Sequence, residues 1–243
     1  MASAPITHSH IDTNTSTSSE IPTTHHTHQF DLKRVRDAFV NCIQPDNRLF
    51  LNEYIRAYEE LCIFVCSLGP VFEWAIKDLN NKLIILKEYQ HIDPINYESI
   101  QSMIDYEVKI ERIKTRETTI HTKSGKILPN GCRTLLRLHR ALAFISSFLS
   151  EMRTASDDAS SASIAWNAYS STLGNFHSWP VRQTIHAAIR LTVPNRHILI
   201  NKLLNKRSYE EIDSLAFEIV QSCNKIESIT QELYEKYHLT RLP

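Results

Sequence analysis

From residue 30 onward, apolar side chains recur every three or four positions, the spacing that gathers one stripe on an α-helix. Leu51, Tyr54, Ile55, Tyr58, Leu61, Cys62 and Val65 predict a helix over Leu49 to Leu68. Phe72, Ile76, Leu79, Leu83 and Leu86 predict another over Val71 to Tyr89, and Ile212, Leu215, Ala216, Ile219, Ile226, Ile229 and Leu233 a long closing one over Tyr209 to Tyr237. Further helices are expected over Asp31 to Ile43, from Ile95 to about Arg116, from beyond Asp157 and Asp158 to Leu173, from Pro180 to about Thr192, and from Pro194 to near Asn205. Breaks fall at Pro45, Gly69-Pro70, Asp93-Pro94, the loop His121 to Asn130, and Gly174. No stretch sustains the alternation of a strand, and no internal repeat is visible. The pattern predicts one all-α domain of seven or eight helices.

The helix over Gly131 to Met152 departs from simple amphipathicity. Leu135, Leu138, Leu142 and Leu149 form one apolar side, and Phe144 and Phe148 line the side that also carries Arg133 and Arg137. Two arginines four residues apart point the same way. From Thr118 to Ser150 there is no Asp or Glu, so any neutralising charge must come from elsewhere. A second polar patch lies on the helix over Val71 to Tyr89, where Asp78 and Lys82 stand among Trp74, Ala75 and Ile85. Taken alone, that pair reads as an ordinary i, i+4 salt bridge on a solvated face. The charged end of the following helix (Lys109, Arg112, Lys114, Arg116) reads as a solvated C-terminus.

Composition narrows the function classes. In 243 residues, 42% are hydrophobic, enough for a sizeable core, and Lys plus Arg equals Asp plus Glu at 27 each. There is no basic field to hold nucleic acid, so an anion site must be local. Residues 1 to 29 are rich in Ser, Thr, His and Pro, with no Lys or Arg; they are expected to form a disordered tail preceding a domain over 30 to 243. Its His8, His10, His25, His26 and His28 lack the frame of a metal site, and no metal is expected. Without the tail, which carries Asp12 and Glu20, the rest is near neutral at plus two. The five cysteines, Cys42, Cys62, Cys66, Cys132 and Cys223, are read as free thiols in small core positions. With no signal-peptide pattern and no run of about 18 apolar residues, the expectation is a soluble, cytoplasmic protein.

The search for catalysis finds no GxSxG, Walker loop, GxGxxG or HExxH pattern, and His139 and His186 read as structural histidines. What remains is a set of cations on apolar helices. Arg133, Arg137 and Lys82 would repel one another if they converged without an anion, and Asp78 could neutralise only one. Such a site is an anion receptor, because guanidinium forks match phosphate oxygens and a lysine adds a point charge.

Four segments carry a family resemblance: GCRTLLRLHRAL at 131–142, LGPVFEWAIKDLNNKL at 68–83, NAYSSTLGNFHSW at 167–179, and the ending with Leu233-Tyr234, Tyr237-His238-Leu239 and Leu242-Pro243. In order and over nearly all of the chain except the tail, they resemble the glycolipid transfer protein superfamily. The resemblance implies a two-layer sandwich of eight helices enclosing a lipid cavity, with no enzyme activity and no cofactor. It further implies that Lys82, Arg133 and Arg137 hold a headgroup phosphate, that Asp78 accepts from a sphingoid amide N–H and hydroxyl, and that His177 donates toward the acyl carbonyl. In the glycolipid-specific branch an Asn stands at the place of Lys82, a Lys at that of Ile85, and a sugar-stacking Trp at that of Arg133. A planar ring suits a sugar, whereas two arginines and a lysine suit a phosphate, so the implied ligand is ceramide-1-phosphate or a related phosphosphingolipid. Arg140, one turn further, reads as structural.

The expected activity is transfer of that lipid between membranes by a monomer that touches them transiently. Trp179 and, secondarily, Trp74 are candidate membrane anchors, with Lys87, Lys123, Lys126 and Arg182 as nearby basic residues. Phe64, Phe72, Ile76, Phe144, Phe148, Leu173 and Ile189 are candidate cavity linings. Three alternatives remain open: a lipid-sensing regulator that presents the same ligand to a protein partner, glycolipid transfer, and a helical scaffold whose polar pairs are plain salt bridges.

Overall fold

The computed structural model describes residues 28–114, 117–121, 127–204 and 206–242. The tail residues 1–27, with His8, His10, His25 and His26, lie outside them, as do Arg116, Lys123, Lys126, Asn205 and Pro243. Among the described residues there are nine α-helices: α1 (Leu32–Cys42), α2 (Leu51–Cys66), α3 (Glu73–Ile92), α4 (Ile100–Lys109), α5 (Gly131–Thr154), α6 (Ser161–Ser171), α7 (Trp179–Thr192), α8 (Arg196–Leu204) and α9 (Tyr209–Lys236). Helix starts follow capping chemistry. Asp31, Ser99, Asn130, Ser160 and Ser208 each accept a backbone N–H of their helix's first turn, and Ser99 and Ser208 complete capping boxes.

Helix α5 is the hub. It packs on α9, α3, α6 and α4, while α1 bridges α2 and α9, and α7 rests on α6. The arrangement is the expected two-layer, all-α one. Its largest core joins Leu32, Val35 and Phe39 of α1, Tyr54 and Tyr58 of α2, Leu135, Leu138 and Leu142 of α5, and Ile219, Cys223 and Ile226 of α9. A smaller core holds Ala165, Tyr169, Ile185 and Ile189 of α6 and α7, with Phe144, Phe148 and Leu173 packed on it. Helix α5 thus divides two interiors. Leu135, Leu138 and Leu142 serve the first, and Phe144 and Phe148 the second.

Three local expectations are corrected. The helix expected from Ile95 to Arg116 is α4 alone, because the Ser99 capping box sets a later start and Glu111, at φ 57°, ends it. A two-stranded hairpin follows, β1 (Glu117–His121) antiparallel to β2 (Ile127–Pro129), where no strand was expected. The β-branched run Thr118-Thr119-Ile120 favours it, but strands this short show no alternation to read. Gly174 does not cap a helix reaching Leu173; α6 stops at Ser171, and Gly174 sits inside a 3-10 turn over Leu173–Phe176.

The end of α4 is also not solvated at Arg112, which is buried. Arg112 Nη1 donates to the Tyr97 hydroxyl at 2.5 Å and lies 3.8 Å from Glu107 Oε1. Tyr97 donates in turn to the fully buried Glu107 at 2.7 Å, and Glu107 accepts the first N–H groups of α5 from Gly131 and Cys132 at 2.7 and 2.9 Å. A carboxylate at a helix N-terminus meets both the unpaired N–H groups and the dipole. Gly131 makes room for it, since a Cβ there would lie 3.0 Å from Glu107 Oε1 and 2.8 Å from Met103 Sδ. At the other end of the described chain, His28 Nε2 lies 2.7 Å from Glu60 Oε2, so this residue, assigned by sequence to the tail, already contacts α2.

The five cysteines are free, with only Cys66 exposed. No group of three potential ligands that could hold a metal occurs among the described residues. No helix among them is long and apolar enough to cross a membrane.

Candidate functional site

The arginine face of α5 runs from Arg133 past Arg137 and continues to Phe144 and Phe148. From Arg133 to Phe148 this face is about 22 Å long at the helical rise. It is cationic at one end and aromatic at the other, which is the polarity of an amphiphile laid along it.

The cationic end draws in residues from two other elements, α3 and the turn before α7. Lys82 is buried on α3, at 8% exposure, and its ammonium contacts the carboxylate of Asp78, whose side chain is 65% exposed. The pair is therefore not a plain solvated salt bridge: its cation is held inward while its acid reaches out. Asp78 also acts on His177, and Arg140 acts on both His177 and Arg137. Burial pushes the His177 imidazole below its ordinary pKa, the Asp78 carboxylate pulls it back, and Arg140 adds to the depression. Burial lowers the Arg140 pKa too, and the neighbouring Arg137 reinforces that. Asp78, Lys82, His177, Arg140 and Arg137 are thus linked electrostatically although they come from α3, α5 and the turn before α7. Arg133 lies one helical turn closer to the start of α5, where its N–H bonds Asn130 Oδ1 at 2.8 Å, and it is buried at 6% exposure. Arg137 is exposed, and among the described residues no carboxylate lies within ion-pair distance of it.

Arg140 has a structural role as well. Its Nη2 donates to the Thr240 carbonyl at 3.0 Å, tying the C-terminal segment to α5, and its guanidinium lies 3.9 Å from the Phe176 ring centroid. His177 follows the 3-10 turn that ends at Phe176, and its Nδ1 is 2.8 Å from the Tyr169 hydroxyl. The turn is tight at its glycine, because a Cβ at position 174 would come 3.1 Å from the Tyr169 carbonyl oxygen. Sequence reasoning passed over Tyr169 and read Gly174 only as a helix end, although both stand in the NAYSSTLGNFHSW segment. It also passed over the electrostatic link between Arg140 and His177, which depends on a loop closing onto α5.

Of the proposed linings, Phe144, Phe148, Leu173 and Ile189 pack around one small core. Phe64 packs instead against the main core and a third cluster around Met152, Ile164 and Leu199, which Phe148 also joins. Ile76 is buried and Phe72 half-buried on the α3 side. Two surface hollows lie elsewhere: one of about 450 Å³ bordered by Arg153, Tyr209, Asp213 and Phe217, and one of about 280 Å³ bordered by Phe30, Ile63, Ser67 and Lys202. Trp179, at the start of α7, is 71% exposed, and Trp74 is 49% exposed. Val71, Phe176 and Val181 are also exposed, and α7 packs on the turn over Pro70–Phe72. Lys87, by contrast, pairs with Glu59 on α2.

A family profile described as Glycolipid transfer protein (GLTP) matches residues 49–205. The ceramide-1-phosphate transfer protein of Mus musculus is 35% identical over 217 residues, covering 88% of this chain and 97% of that protein. The chain belongs to the glycolipid transfer protein family. Its architecture agrees: the solved apo form of the mouse ceramide-1-phosphate transfer protein superposes with a TM-score of 0.79 at 33% identity, covering 88% of this chain and all of that one. The human ceramide-1-phosphate transfer protein in complex with 12:0 ceramide-1-phosphate superposes at 0.76 and 28% identity, over 88% of this chain and 100% of that one. The glycolipid transfer protein fold expected from sequence is therefore the observed one. The family is one of lipid transfer proteins.

Proposed function

We propose that this protein carries ceramide-1-phosphate between membranes, as a monomer that docks transiently through Trp179 and Trp74. One observation supports the reading above the others: Arg137 is an exposed guanidinium on the cationic face of α5, with no carboxylate within ion-pair distance among the described residues. A phosphomonoester supplies the missing charge, bound by the forks of Arg133 and Arg137 and by Lys82. When Lys82 turns to the phosphate, Asp78 is released to accept from the sphingoid amide N–H and hydroxyl, and His177 donates to the acyl carbonyl. The lipid chains follow the aromatic end of the same face into the core around Phe144, Phe148 and Ile189. The human relative solved with 12:0 ceramide-1-phosphate supports this choice of ligand.

No covalent step is needed. Moving a chain from bilayer to water costs about 0.8 kcal/mol per CH₂, so a two-chain lipid does not desorb readily by itself. An apolar interior that replaces bilayer contact along the path removes most of that cost. The test is transfer of ceramide-1-phosphate between donor and acceptor vesicles at catalytic protein amounts. Arg137→Ala and Lys82→Ala are each expected to reduce transfer to background with helical content unchanged by circular dichroism. Wild-type rates in both variants would overturn the phosphate site, and a wild-type protein that binds the lipid without moving it would favour sensing over transfer.

A further inference from the structure

A histidine that donates to a carbonyl must carry its proton on the nitrogen facing the ligand, and which ring nitrogen holds the proton is set by the bond the other one makes. In His177 that other bond is known: Nδ1 lies 2.8 Å from the hydroxyl of Tyr169. Two arrangements satisfy this distance, and chemistry separates them. A phenol is a good donor and a poor acceptor, whereas a neutral imidazole nitrogen is a good acceptor. The favourable arrangement has the hydroxyl donating to Nδ1, which leaves the proton on Nε2.

The surroundings hold this arrangement in place. Tyr169 is 3% exposed and packs in the small core between α6 and α7, with the Trp166 ring centroid 5.5 Å away. Gly174 lets the 3-10 turn close against the Tyr169 carbonyl and brings His177 back over the tyrosine ring, with centroids 5.8 Å apart. The charged groups facing His177 are Asp78 from α3 and Arg140 from α5, and Arg182 of α7 faces Tyr169. Burial and Arg140 keep the imidazole neutral near pH 7, so tautomer rather than charge decides what it can read.

We propose that Tyr169 is a positioning residue whose hydroxyl locks His177 in the Nε2–H tautomer, making the site select N-acylated sphingoid phosphates, which offer a carbonyl, over free-amine sphingoid phosphates, which do not. The selection rests on the lipid reading above; the tautomer lock does not. Nitrogen-15 NMR of the imidazole in the lipid-free, full-length protein is expected to show Nε2–H in the wild type and a gain of Nδ1–H in Tyr169→Phe. A wild-type Nδ1–H tautomer, or a tautomer indifferent to Tyr169→Phe, would overturn the lock. In vesicle binding, the affinity ratio of ceramide-1-phosphate to sphingosine-1-phosphate is expected to fall about tenfold in Tyr169→Phe, the worth of one hydrogen bond. A ratio equal to that of the wild type would overturn the selection.

A double-mutant arm separates positioning from packing. In His177→Gln the side-chain amide always has a donor, so adding Tyr169→Phe is expected to leave the ratio where His177→Gln put it. A second tenfold fall would show that the tyrosine acts through packing and would overturn the proposal. If the wild type binds neither lipid, the transfer reading fails, and the NMR result alone decides the lock.

Discussion

Two polar clusters sit on α5 and differ in one respect that separates folding from function. At the start of the helix, Glu107 is fully buried and every partner is present: two backbone N–H groups, the Tyr97 hydroxyl, and Arg112 nearby. One turn and more along, Arg137 and Arg140 stand next to each other, Lys82 is buried behind Asp78, and the balance of formal charge among these side chains is positive. The first cluster is closed, with its anion supplied by the chain. The second is open, and the anion proposed for it is a phosphate from outside the chain. A protein that needed only stability would have no reason to leave like charges together on a core helix, since their repulsion opposes folding.

The closed cluster should give the largest effect on stability. Glu107→Ala leaves Arg112 buried beside an unfilled acceptor position and exposes the start of α5 to lost N–H partners, so it is expected to cost about 3–5 kcal/mol in urea denaturation. A loss below about 1 kcal/mol would place Glu107 among ordinary surface acids. The open cluster should behave in the opposite way. Arg137→Ala removes a cation that acts against Arg140, so its unfolding free energy is expected within about 1 kcal/mol of wild type, or slightly above it, while transfer is lost. A large destabilisation would mean that Arg137 has a structural partner and that the two clusters are alike.

The smallest effect concerns pH. His139 lies on α5 with its Nε2 3.0 Å from Gln231 Oε1; burial holds its pKa below the ordinary value, opposed by that hydrogen bond and by Glu227. Because the folded pKa is depressed, the unfolded chain takes up the proton first as pH falls. The stability tied to the neutral ring is present above the usual histidine pKa of about 6.5 and is lost as pH drops through the folded value. His177 shifts in the same direction, burial being the largest cause. Thermal melts between pH 7.5 and 5 are therefore expected to show falling stability, with a shallower slope in His139→Gln. A slope identical to wild type would remove His139 from the account.

Much of the architecture was legible because helical periodicity is local. The stripe on α9, the Gly69-Pro70 break and the two faces of α5 can be read within one or two turns of sequence. The hairpin was not legible, since two short strands carry too few residues for alternation to register. Arg112 was misjudged because a basic residue at a helix end is usually solvated; here Tyr97 and Glu107 fold over it from fifteen and five positions earlier.

The sequence alone determined that α5 carries two arginines on the same side as two phenylalanines, with no acid from Thr118 to Ser150 to answer them. That follows from residue order and the angle per residue, and no tertiary contact can undo it. Only the tertiary structure decided the company they keep. It buried Lys82 while leaving Asp78 exposed, brought Asp78 within electrostatic reach of His177 almost a hundred residues later, and set Tyr169 against the imidazole across the tight turn at Gly174. Burial, ion partners and tautomers depend on what packs from distant parts of the chain, and spacing along one helix carries no record of that.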